Sequence, residues 1–330
     1  MSKKIKVLLD YLGEIDKRAL AQLPVSKFEL IRAARVRKNE AERKANLKNM
    51  DAVYVRTDDF YSGDILRGNP NLKLVAFGGT GYQQYIDVPA ATELGIAVMN
   101  APGANANAVA EYAVALALDV VRKVSFYNSD IKSGRKKIMV TNEIGALKIG
   151  LIGHGNINRR VHEILKNGFD ADVKFWDYMD KKSTPLNKIL KESDIVIIAI
   201  TENAQTRNFI NKERIAMMKP GAILINPARP GLVDSNALYA ALKSGKLSAA
   251  ALDGMPSGAV REKLLKLPDD KFIASPHIAA RTIQALFNTD IMALRSIAEF
   301  FKTGKSKLIV NPEYKKATRS QQPGTSGRKK

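Results

Sequence analysis

The stretch of residues 148–177 decides the fold of this chain and reads KIGLIGHGNINRRVHEILKNGFDADVKFWD. It opens with an apolar, β-branched run that is typical of a buried parallel strand, and glycines at positions 153 and 155 then predict a sharp turn into a helix that begins near Asn156. Free N–H groups and the positive end of the helix dipole favour an anion at such a helix start. Because a side chain at Gly155 would block that anion, the turn is predicted to hold the pyrophosphate of a dinucleotide.

The second apolar run of this stretch ends in Asp177, twenty-four residues after Gly153. A carboxylate at that point can accept hydrogen bonds from both hydroxyls of an adenosine ribose, and its charge repels a 2′-phosphate. The sequence therefore predicts NAD as the cofactor in preference to NADP. Asn158 replaces the third glycine of the usual fingerprint. A Gly-x-Gly pair alone is often a plain turn, but the flanking strands, the helix and the aspartate favour the dinucleotide site.

Length and composition predict two domains and chemistry without a metal. At 330 residues the chain exceeds one ordinary hydrophobic core, and 45% hydrophobic residues are enough to bury two. The absence of cysteine excludes disulfides and thiolate metal sites, and three histidines leave little for a metal cluster. No apolar run reaches the length of about eighteen residues that spans a membrane. The N-terminus turns charged before a secretory segment could form, so we expect a cytoplasmic protein with no membrane partner.

The net charge of +20 is concentrated at the two ends of the chain. Residues 1–50 carry thirteen Lys or Arg against six acids, and residues 313–330 carry six against one, so these two segments hold more than half of the excess. We predict that 313–330 is a disordered basic tail and that 28–48 is helical, with its basic residues on a solvated face. No nucleic-acid-binding signature is present, so no specific nucleic-acid partner is predicted, and non-specific affinity for polyanions stays open.

Apolar strand candidates alternate with helical segments along most of the chain, which predicts an α/β protein with two doubly wound parallel sheets, Rossmann-like in type. Glycines cluster at positions 78, 79 and 81 directly after one strand, where open α/β sheets place ligands, so a second ligand cradle is predicted there. Two long helices are expected over residues 106–124 and 282–302. The strand candidates are residues 5–9, 52–56, 72–77, 96–99, 148–152, 173–176, 195–200, 222–225, 249–252 and 272–274.

Two side chains follow strands of the predicted dinucleotide-binding sheet and are candidates for chemistry. Arg229, in INPARPGLVD, could bind a carboxylate in a fork and polarise the adjacent carbonyl. His277, in ASPHIAA, could give or take a proton near neutral pH. A lone loop arginine is often a surface ion-pair residue and a lone histidine is often structural. Their placement at strand ends favours the functional interpretation.

Five motifs in order resemble the NAD-dependent D-2-hydroxyacid dehydrogenase family over residues 52–312. They are GTGYQQYIDVPAATELGIAVMNAPGANANAVAEYAVALAL, KIGLIGHGNI, MKPGAILINPARPGLVDSNALYAALKSGKL, AAALD and SPHIAART. The resemblance implies hydride transfer between nicotinamide and C2 of a small 2-hydroxy or 2-oxo acid. It also implies a discontinuous substrate domain (1–103 plus 282–312), an inserted NAD-binding domain (104–281), a ligand cleft between them and a homodimer formed through the NAD-binding domains.

The resemblance further assigns roles to individual residues. Arg229 would bind the substrate carboxylate and carbonyl, and His277 would be the general acid and base. Backbone N–H groups of Gly79, Thr80 and Gly81 would meet the same carboxylate, and the loop at Arg56 and Thr57 would close over it. The cofactor-binding residues would be Val109, Gly153, His154, Gly155, Asn156, Ile157, Asp177, Ala228 and Asp253, with Asp253 near the nicotinamide carboxamide.

One departure from the family opens an alternative function. The family usually has a glutamate five residues after the equivalent of Asp253, where it hydrogen-bonds the catalytic histidine, and this chain has Gly258 there. Glu262 is a candidate replacement. Without a paired carboxylate we expect His277 to be a less effective proton donor in reduction. Activity should then fall at a lower pH than in members that keep the glutamate. The alternative is a non-catalytic NAD-binding protein with a basic interaction surface.

Overall fold

The computed structural model describes residues 3–33, 39–57 and 59–320, which form two compact units. The first unit comprises Met1–Asn105 with Ile283–Lys330, and the second unit comprises Ala106–Thr282. Across the described residues, no helix combines the length and the apolar character needed to span a bilayer. The cytoplasmic location and the cleft between domains stay predictions.

The strands and helices are numbered in chain order. The strands are β1 (Ile5–Tyr11), β2 (Phe28–Arg32), β3 (Ala52–Arg56), β4 (Leu74–Phe77), β5 (Ala97–Met99), β6 (Lys148–Ile152), β7 (Asp172–Trp176), β8 (Ile195–Ile198), β9 (Ala222–Asn226), β10 (Leu247–Asp253) and β11 (Phe272–Ser275). The helices are α1 (Lys17–Leu20), α2 (Glu40–Leu47), α3 (Gly63–Arg67), α4 (Val88–Glu93), α5 (Ala106–Arg122), α6 (Val124–Lys132), α7 (Asn156–Phe169), α8 (Leu186–Glu192), α9 (Lys212–Met217), α10 (Ser235–Ser244), α11 (Ala259–Leu265), α12 (Ile283–Thr303) and α13 (Tyr314–Ser320).

The first unit is a parallel five-stranded sheet in the order β2-β1-β3-β4-β5 with helices on both faces. On one face, Leu294 and Ile297 of α12 pack against β1, β3 and β4, so the last long helix of the chain completes the core of its first strands. On the other face, α2, α3 and α4 cover Val53 and Val75. These central strands are apolar on both sides because both sides are covered.

The prediction of a single helix over residues 28–48 is wrong. Phe28–Arg32 is the edge strand β2, which pairs in parallel with β1, and α2 begins only at Glu40, where the Asn39 side chain accepts a hydrogen bond from Glu42 N–H at 2.9 Å. Residues 34–38 lie outside the described residues. Pairing with β1 sets the conformation here, and that partner lies too far along the chain for a local pattern to reveal it.

The prediction of a disordered tail is wrong for residues 314–320, which form α13. Tyr314 is buried in the first unit beside Phe300, with ring centroids 6.5 Å apart. Burial of that one aromatic ring offsets the polar composition that predicted disorder. Residues 321–330 lie outside the described part of the chain.

The second unit is a parallel six-stranded sheet in the order β11-β10-β9-β8-β6-β7. From β6 the chain moves outward to β7 and then returns to β8 on the other side, so the strand order reverses between β6 and β8. Helices α5 and α7 cover one face, and α8 to α11 cover the other. The prediction of two α/β parallel-sheet domains is confirmed. A reversal of this kind opens a crevice at the carboxyl ends of the strands, where ligands of such sheets bind.

Candidate active site

The turn after β6 requires glycine at its first position and leaves space at its third. Gly153 has φ +85°, and an added Cβ would lie 2.6 Å from Ile200 Cγ2 and 2.8 Å from the Ala199 carbonyl oxygen. Gly155 has φ −75° and precedes α7, and an added Cβ there would meet no atom within 4 Å. The backbone is therefore tight against β8 at Gly153 and open at Gly155, which is the shape a pyrophosphate needs.

Asp177 lies beside this turn at the end of β7. Its Oδ2 accepts a hydrogen bond from the His154 N–H at 2.6 Å, and its Oδ1 accepts one from the Met179 N–H at 2.8 Å. The carboxylate is thus fixed in orientation with lone pairs remaining for the hydroxyls of a ribose. The His154 ring is stacked on Phe175 at 3.7 Å, so the backbone of His154, and not its imidazole, belongs to the turn.

The surroundings of the two histidines near the turn disfavour their protonated forms. His154 and His162 have ring centroids 5.6 Å apart, and burial lowers the pKa of both. The positive charge of Arg159 lowers the pKa of His154 further, while Asp177 opposes the shift.

Asn158, which replaces the third glycine of the fingerprint, joins helix α7 to the end of β6. The side chain is fully buried, and its Nδ2 donates to the carbonyl oxygens of Gly153 at 2.8 Å and Ile152 at 3.1 Å. Its Oδ1 has no hydrogen-bond partner within the described residues. The asparagine therefore fills the space that a glycine would leave and fixes the strand end directly.

The residues around the turn fit a dinucleotide. The N–H groups of Asn156 and Ile157 open α7 and have no intrahelical acceptor, so they can donate to a phosphate. Val109 lies buried in α5, and Ala228 lies buried just after β9. The tight Gly153, the open Gly155 and the carboxylate at the end of β7 match the pyrophosphate and ribose of NAD.

The Asn226 side chain organises the loop after β9 that carries Arg229, and the sequence did not predict this role. Asn226 is 1% exposed, its Oδ1 accepts hydrogen bonds from Ala228 N–H at 3.0 Å and Arg229 N–H at 3.2 Å, and its Nδ2 donates to the Arg229 carbonyl at 2.7 Å. The half-buried Arg229 side chain donates from Nη1 to the Ala228 carbonyl at 2.9 Å. The Asn-Pro pair at positions 226 and 227 was the available signal, since Asn side chains commonly organise turns.

His277 adopts a strained backbone beside Asp253. It has φ +57°, a region that non-glycine residues seldom occupy and that is enriched at functional sites. Its Nδ1 lies 3.4 Å from the Asp253 carbonyl oxygen and 3.8 Å from Asp253 Oδ2. The side chain is 43% exposed, so the rest of the ring is accessible.

Asp253 fixes the loop that carries His277. Its carboxylate is 1% exposed and accepts hydrogen bonds from Ser275 Oγ at 2.6 Å and from the N–H groups of Ile278 and Ala279, each at 2.8 Å. Three donors from both sides of His277 hold the residue in its left-handed conformation. The family resemblance implies that Asp253 lies near the nicotinamide carboxamide, and that role stays a prediction.

The loops after β9, β10 and β11 converge at the carboxyl edge of the sheet. An added Cβ at Gly254 would lie 3.3 Å from Pro230 Cδ and 3.7 Å from His277 Nδ1. Gly254 therefore lies between Pro230, the residue after Arg229, and the His277 imidazole, with both within van der Waals distance of a Cβ built at Gly254. The structure thus brings together the loops of the two side chains that the sequence singled out.

Glu262 does not take the place of the missing glutamate. Gly258 has φ +81° and precedes α11, and Glu262 is exposed on that helix, with no hydrogen bond or ion pair to His277 in the described part of the chain. The carboxylate beside Nδ1 is that of Asp253. Among the described residues, no group of three or more His, Cys, Asp and Glu is placed to hold a metal.

In the first unit, the turn after β4 presents two of the three predicted N–H groups. The Gly79 N–H donates to the Phe77 carbonyl at 2.9 Å, and its contact with the substrate carboxylate stays a prediction. The carbonyl oxygens of Gly79 and Thr80 accept from Ala101 N–H at 2.9 Å and Asn100 Nδ2 at 3.0 Å. Within the described residues the N–H groups of Thr80 and Gly81 donate to no protein acceptor.

Arg56 is engaged inside the first unit. Its guanidinium forms an ion pair with Asp290 at 3.1 Å and donates to the Glu14 carbonyl at 3.0 Å, and its side chain is 10% exposed. The charge of this guanidinium is therefore paired within the first unit, and closure of the loop at Arg56 and Thr57 over the substrate stays a prediction. Thr57 is half-buried, and its Oγ1 accepts a hydrogen bond from Asp59 N–H at 3.3 Å.

The parallel sheet, its glycine turn and the aspartate after β7 define a dinucleotide-binding α/β protein. Comparison with known proteins narrows the class. Residues 114–279 match the family model described as "D-isomer specific 2-hydroxyacid dehydrogenase, NAD binding domain". The chain is 36% identical to the hydroxypyruvate reductase of Thermotoga maritima, over 82% of this chain and 90% of that protein. It is 31% identical to the glyoxylate reductase of Thermofilum pendens, over 81% and 83% respectively.

Solved structures agree on the fold. The NAD⁺-bound 3-phosphoglycerate dehydrogenase of Entamoeba histolytica superposes with a TM-score of 0.82 at 23% identity, covering 94% of this chain and 99% of that chain. An acyclic imino acid reductase in complex with NADPH and D-Arg superposes with a TM-score of 0.81 at 26% identity, covering 93% and 100%.

The chain belongs to the D-isomer specific 2-hydroxyacid dehydrogenase family. It is an NAD-dependent oxidoreductase of a family whose members act on small 2-hydroxy or 2-oxo acids. Nothing in these comparisons favours the non-catalytic alternative, since the relatives are named as reductases and dehydrogenases.

Proposed function

We propose that this protein reduces a small 2-oxo acid, and oxidises the corresponding 2-hydroxy acid, through Arg229 and His277. The observation that carries the proposal is the convergence of their two loops at Gly254, at the carboxyl edge of the NAD-binding sheet. A guanidinium and an imidazole at one strand edge supply the two groups that this reaction needs, a cation for the carboxylate and a proton for the alkoxide.

The two side chains have separate roles. When bound, the nicotinamide supplies the hydride that reaches C2 of the acid, or accepts it in the reverse direction. Arg229 pairs with the substrate carboxylate and polarises the carbonyl oxygen, whose growing negative charge it stabilises. His277 donates a proton to that oxygen during reduction and takes it back during oxidation.

The position of Asp253 indicates which imidazole nitrogen of His277 transfers the proton. Because Nδ1 faces the carbonyl and carboxylate of Asp253, Nε2 is the nitrogen that is free for the substrate. We propose that this contact substitutes in part for the glutamate that Gly258 replaces. It is looser than a direct pair, since 3.8 Å exceeds a normal hydrogen bond, so we expect weaker control of the imidazole than a paired glutamate gives.

The N–H groups of Thr80 and Gly81 are proposed to bind a substrate carboxylate. Two adjacent free N–H groups form a small anion-binding concavity, and the carbonyls of the same turn are occupied elsewhere. Because relatives include a hydroxypyruvate reductase and a glyoxylate reductase, glyoxylate and hydroxypyruvate are the first acids to test.

The test follows NADH absorbance with glyoxylate, hydroxypyruvate, pyruvate and 3-phosphohydroxypyruvate. We expect saturable NADH oxidation with at least one of the first two acids, and a rate at least about 10²-fold lower in a His277→Asn variant that still binds NADH. If NADH binds but none of the four acids supports its oxidation, the proposed reaction is wrong. A His277→Asn variant whose rate stays within about tenfold of the wild type would contradict the role of His277 as the acid.

We also propose that the protein forms a homodimer through its second unit. Four apolar side chains of one segment are more than half exposed there, namely Val124, Ile131, Ile138 and Val140. Contiguous exposed apolar patches commonly mark interfaces, and we propose that these four side chains form one. Light scattering should give twice the chain mass for the wild type and the chain mass for an Ile131→Lys/Val140→Lys variant, and a monomeric wild type contradicts the proposal.

A further inference from the structure

A buried network of Tyr54, Arg56 and Asp290 lies beneath the turn of residues 78–81. The Tyr54 hydroxyl donates a hydrogen bond to Asp290 Oδ1, and Arg56 Nη1 forms an ion pair with Asp290 Oδ2 at 3.1 Å. Tyr54 is fully buried, and the Asp290 side chain is 2% exposed. Asp290 therefore joins two residues of β3 to helix α12, which lies more than two hundred residues further along the chain.

The network touches the turn at Gly78. An added Cβ at Gly78 would lie 2.6 Å from the Tyr54 hydroxyl oxygen and 3.0 Å from Tyr54 Cζ. The Gly78 N–H donates to the Val55 carbonyl at 2.7 Å. The Tyr54 phenol therefore fills the volume beside Gly78, and its position limits where the backbone can lie as it leaves β4.

Both oxygens of Asp290 are committed, so the phenol has little freedom to move. Arg56, which holds the second oxygen, is itself fixed by the Glu14 carbonyl at 3.0 Å. Burial raises the pKa of Asp290, while Arg56 and the Tyr54 hydroxyl oppose that shift. Removing the tyrosine hydroxyl would leave one buried carboxylate oxygen without its donor, which favours rearrangement of the network.

We propose that Tyr54 and Asp290 are positioning residues for the substrate. They fix the position of the Gly78 backbone. The N–H groups of Thr80 and Gly81, which follow Gly78 in the same turn, then form a preformed site for a carboxylate. Neither side chain touches the substrate. The inference rests on the proposed function, because it assigns a task to residues behind the proposed carboxylate site.

The chain offers a matched control for Tyr54. Tyr61 is also buried in the first unit, and its hydroxyl also donates to an aspartate, Asp10. Tyr61 is absent from the atoms that an added Cβ at Gly78 or Gly79 would meet. Tyr54→Phe and Tyr61→Phe therefore remove the same group from similar surroundings, and only the first lies beneath the turn.

We expect Tyr54→Phe to raise KM for the best acid of the panel about fivefold with kcat within about twofold, the pattern of lost ground-state binding. NADH affinity, measured by fluorescence, should be unchanged. Tyr61→Phe should leave KM at the wild-type value even if it lowers the melting temperature equally. A KM for Tyr54→Phe that equals the wild-type or the Tyr61→Phe value overturns the inference.

A second variant tests the contact with Gly78. Gly78→Ala places a methyl group against the tyrosine hydroxyl and should raise KM more than Tyr54→Phe does. In the double variant the closest contact is gone, so KM should fall below that of Gly78→Ala alone. Strictly additive changes contradict the proposed contact.

The failure of this inference is distinguishable from failure of the proposed function. If the wild type turns over none of the acids, the proposed function fails, and the same variants are compared by calorimetry for binding of oxalate with NADH present. Oxalate needs no turnover and carries the carboxylate that the turn is proposed to hold. Weaker oxalate binding by Tyr54→Phe than by Tyr61→Phe supports the positioning role. Equal binding, or no binding to the wild type, overturns it.

Discussion

The two units each place a glycine-rich turn after a parallel strand, and the two turns are built for different anions. The 153–155 turn leads into α7, a fourteen-residue helix whose first N–H groups and dipole point at the ligand. The 78–81 turn leads only into a three-residue 3₁₀ segment, so it offers two individual N–H groups and little dipole. A long helix suits a doubly charged pyrophosphate, whereas two N–H groups suit one carboxylate.

The turns also differ in what makes glycine necessary. Gly153 needs glycine for its backbone angle and for contact with β8, while Gly78 needs it because a tyrosine side chain lies beneath. A requirement set by backbone angle cannot be relieved by a second mutation, and one set by a side chain can. Glycine in two similar loops can therefore be demanded by two unrelated constraints.

The largest expected effect is a loss of catalysis that leaves ligand binding at both turns unchanged. His277→Asn removes the proton donor and leaves both anion sites intact, so kcat should fall about 10²- to 10⁴-fold while NADH affinity and oxalate affinity hold. Steady-state kinetics with fluorescence titration of NADH checks this. A parallel loss of NADH binding would show that His277 supports the cofactor site instead.

The next effect tests the backbone requirement of the 153–155 turn. Gly153→Ala should weaken NADH binding at least about tenfold and also lower the melting temperature, because a left-handed alanine costs about 1–2 kcal/mol before its contacts with Ile200 are counted. Gly155→Ala is the matched control. It has ordinary φ and no neighbours, so it should weaken NADH binding by obstruction while the melting temperature stays unchanged. Equal melting temperatures for the two variants would contradict the distinction.

A smaller effect concerns the choice of cofactor. Asp177→Asn removes the charge that repels a 2′-phosphate and weakens the acceptors for the ribose, so the preference for NADH over NADPH should fall about tenfold. Dissociation constants for both cofactors measure it. Asp180→Asn changes the same charge three residues along the chain and should leave the preference intact; an equal change there would assign the effect to general charge.

The smallest effect is a pH dependence of stability that comes from His154 and His162 in the second unit. The lowered pKa of His154 and His162 means that folding favours their neutral forms. Above pH 6.5, the ordinary histidine pKa, both rings are neutral in the folded and in the unfolded protein, so their contribution to stability is complete. As the pH falls below 6.5 the unfolded chain takes up protons first. The free energy of unfolding therefore falls until the pH has passed the lowered pKa of the folded protein. The charged neighbours are Arg159, Asp177 and Asp180 for His154, and Lys166 and Glu163 for His162.

Denaturant unfolding between about pH 7.5 and pH 5 measures this dependence. His162→Gln removes one of the two titrating rings, so the free energy of unfolding should fall less steeply over that range than in the wild type. An unchanged slope would show that His162 does not contribute.

The sequence predicted those features that depend on local pattern. The glycine turn, α7 and Asp177 lie within thirty consecutive residues, and β6, β8, β9 and β10 are apolar runs of ordinary length. Arg229 and His277 were found because each directly follows such a strand. These features needed no knowledge of distant residues.

The sequence could not predict features that arise from distant pairing. Strand β2 forms because it pairs with β1, and Tyr314 of α13 packs beside Phe300 of α12. The resemblance placed Arg56 in the substrate loop, and the ion pair with Asp290, 234 residues away, could not be inferred from the local sequence. A charged side chain beside a predicted ligand loop gives no sign of whether a partner already neutralises it.

Asn158 has a consequence for protein engineering. Restoring the third glycine of the fingerprint at this position would bring the chain closer to the usual motif, and changes toward a common motif are a frequent route to greater stability. Here the change would delete two hydrogen bonds to the end of β6 and open a void in a fully buried position. A designer who improved the motif would therefore weaken the joint between strand and helix on which the cofactor turn depends.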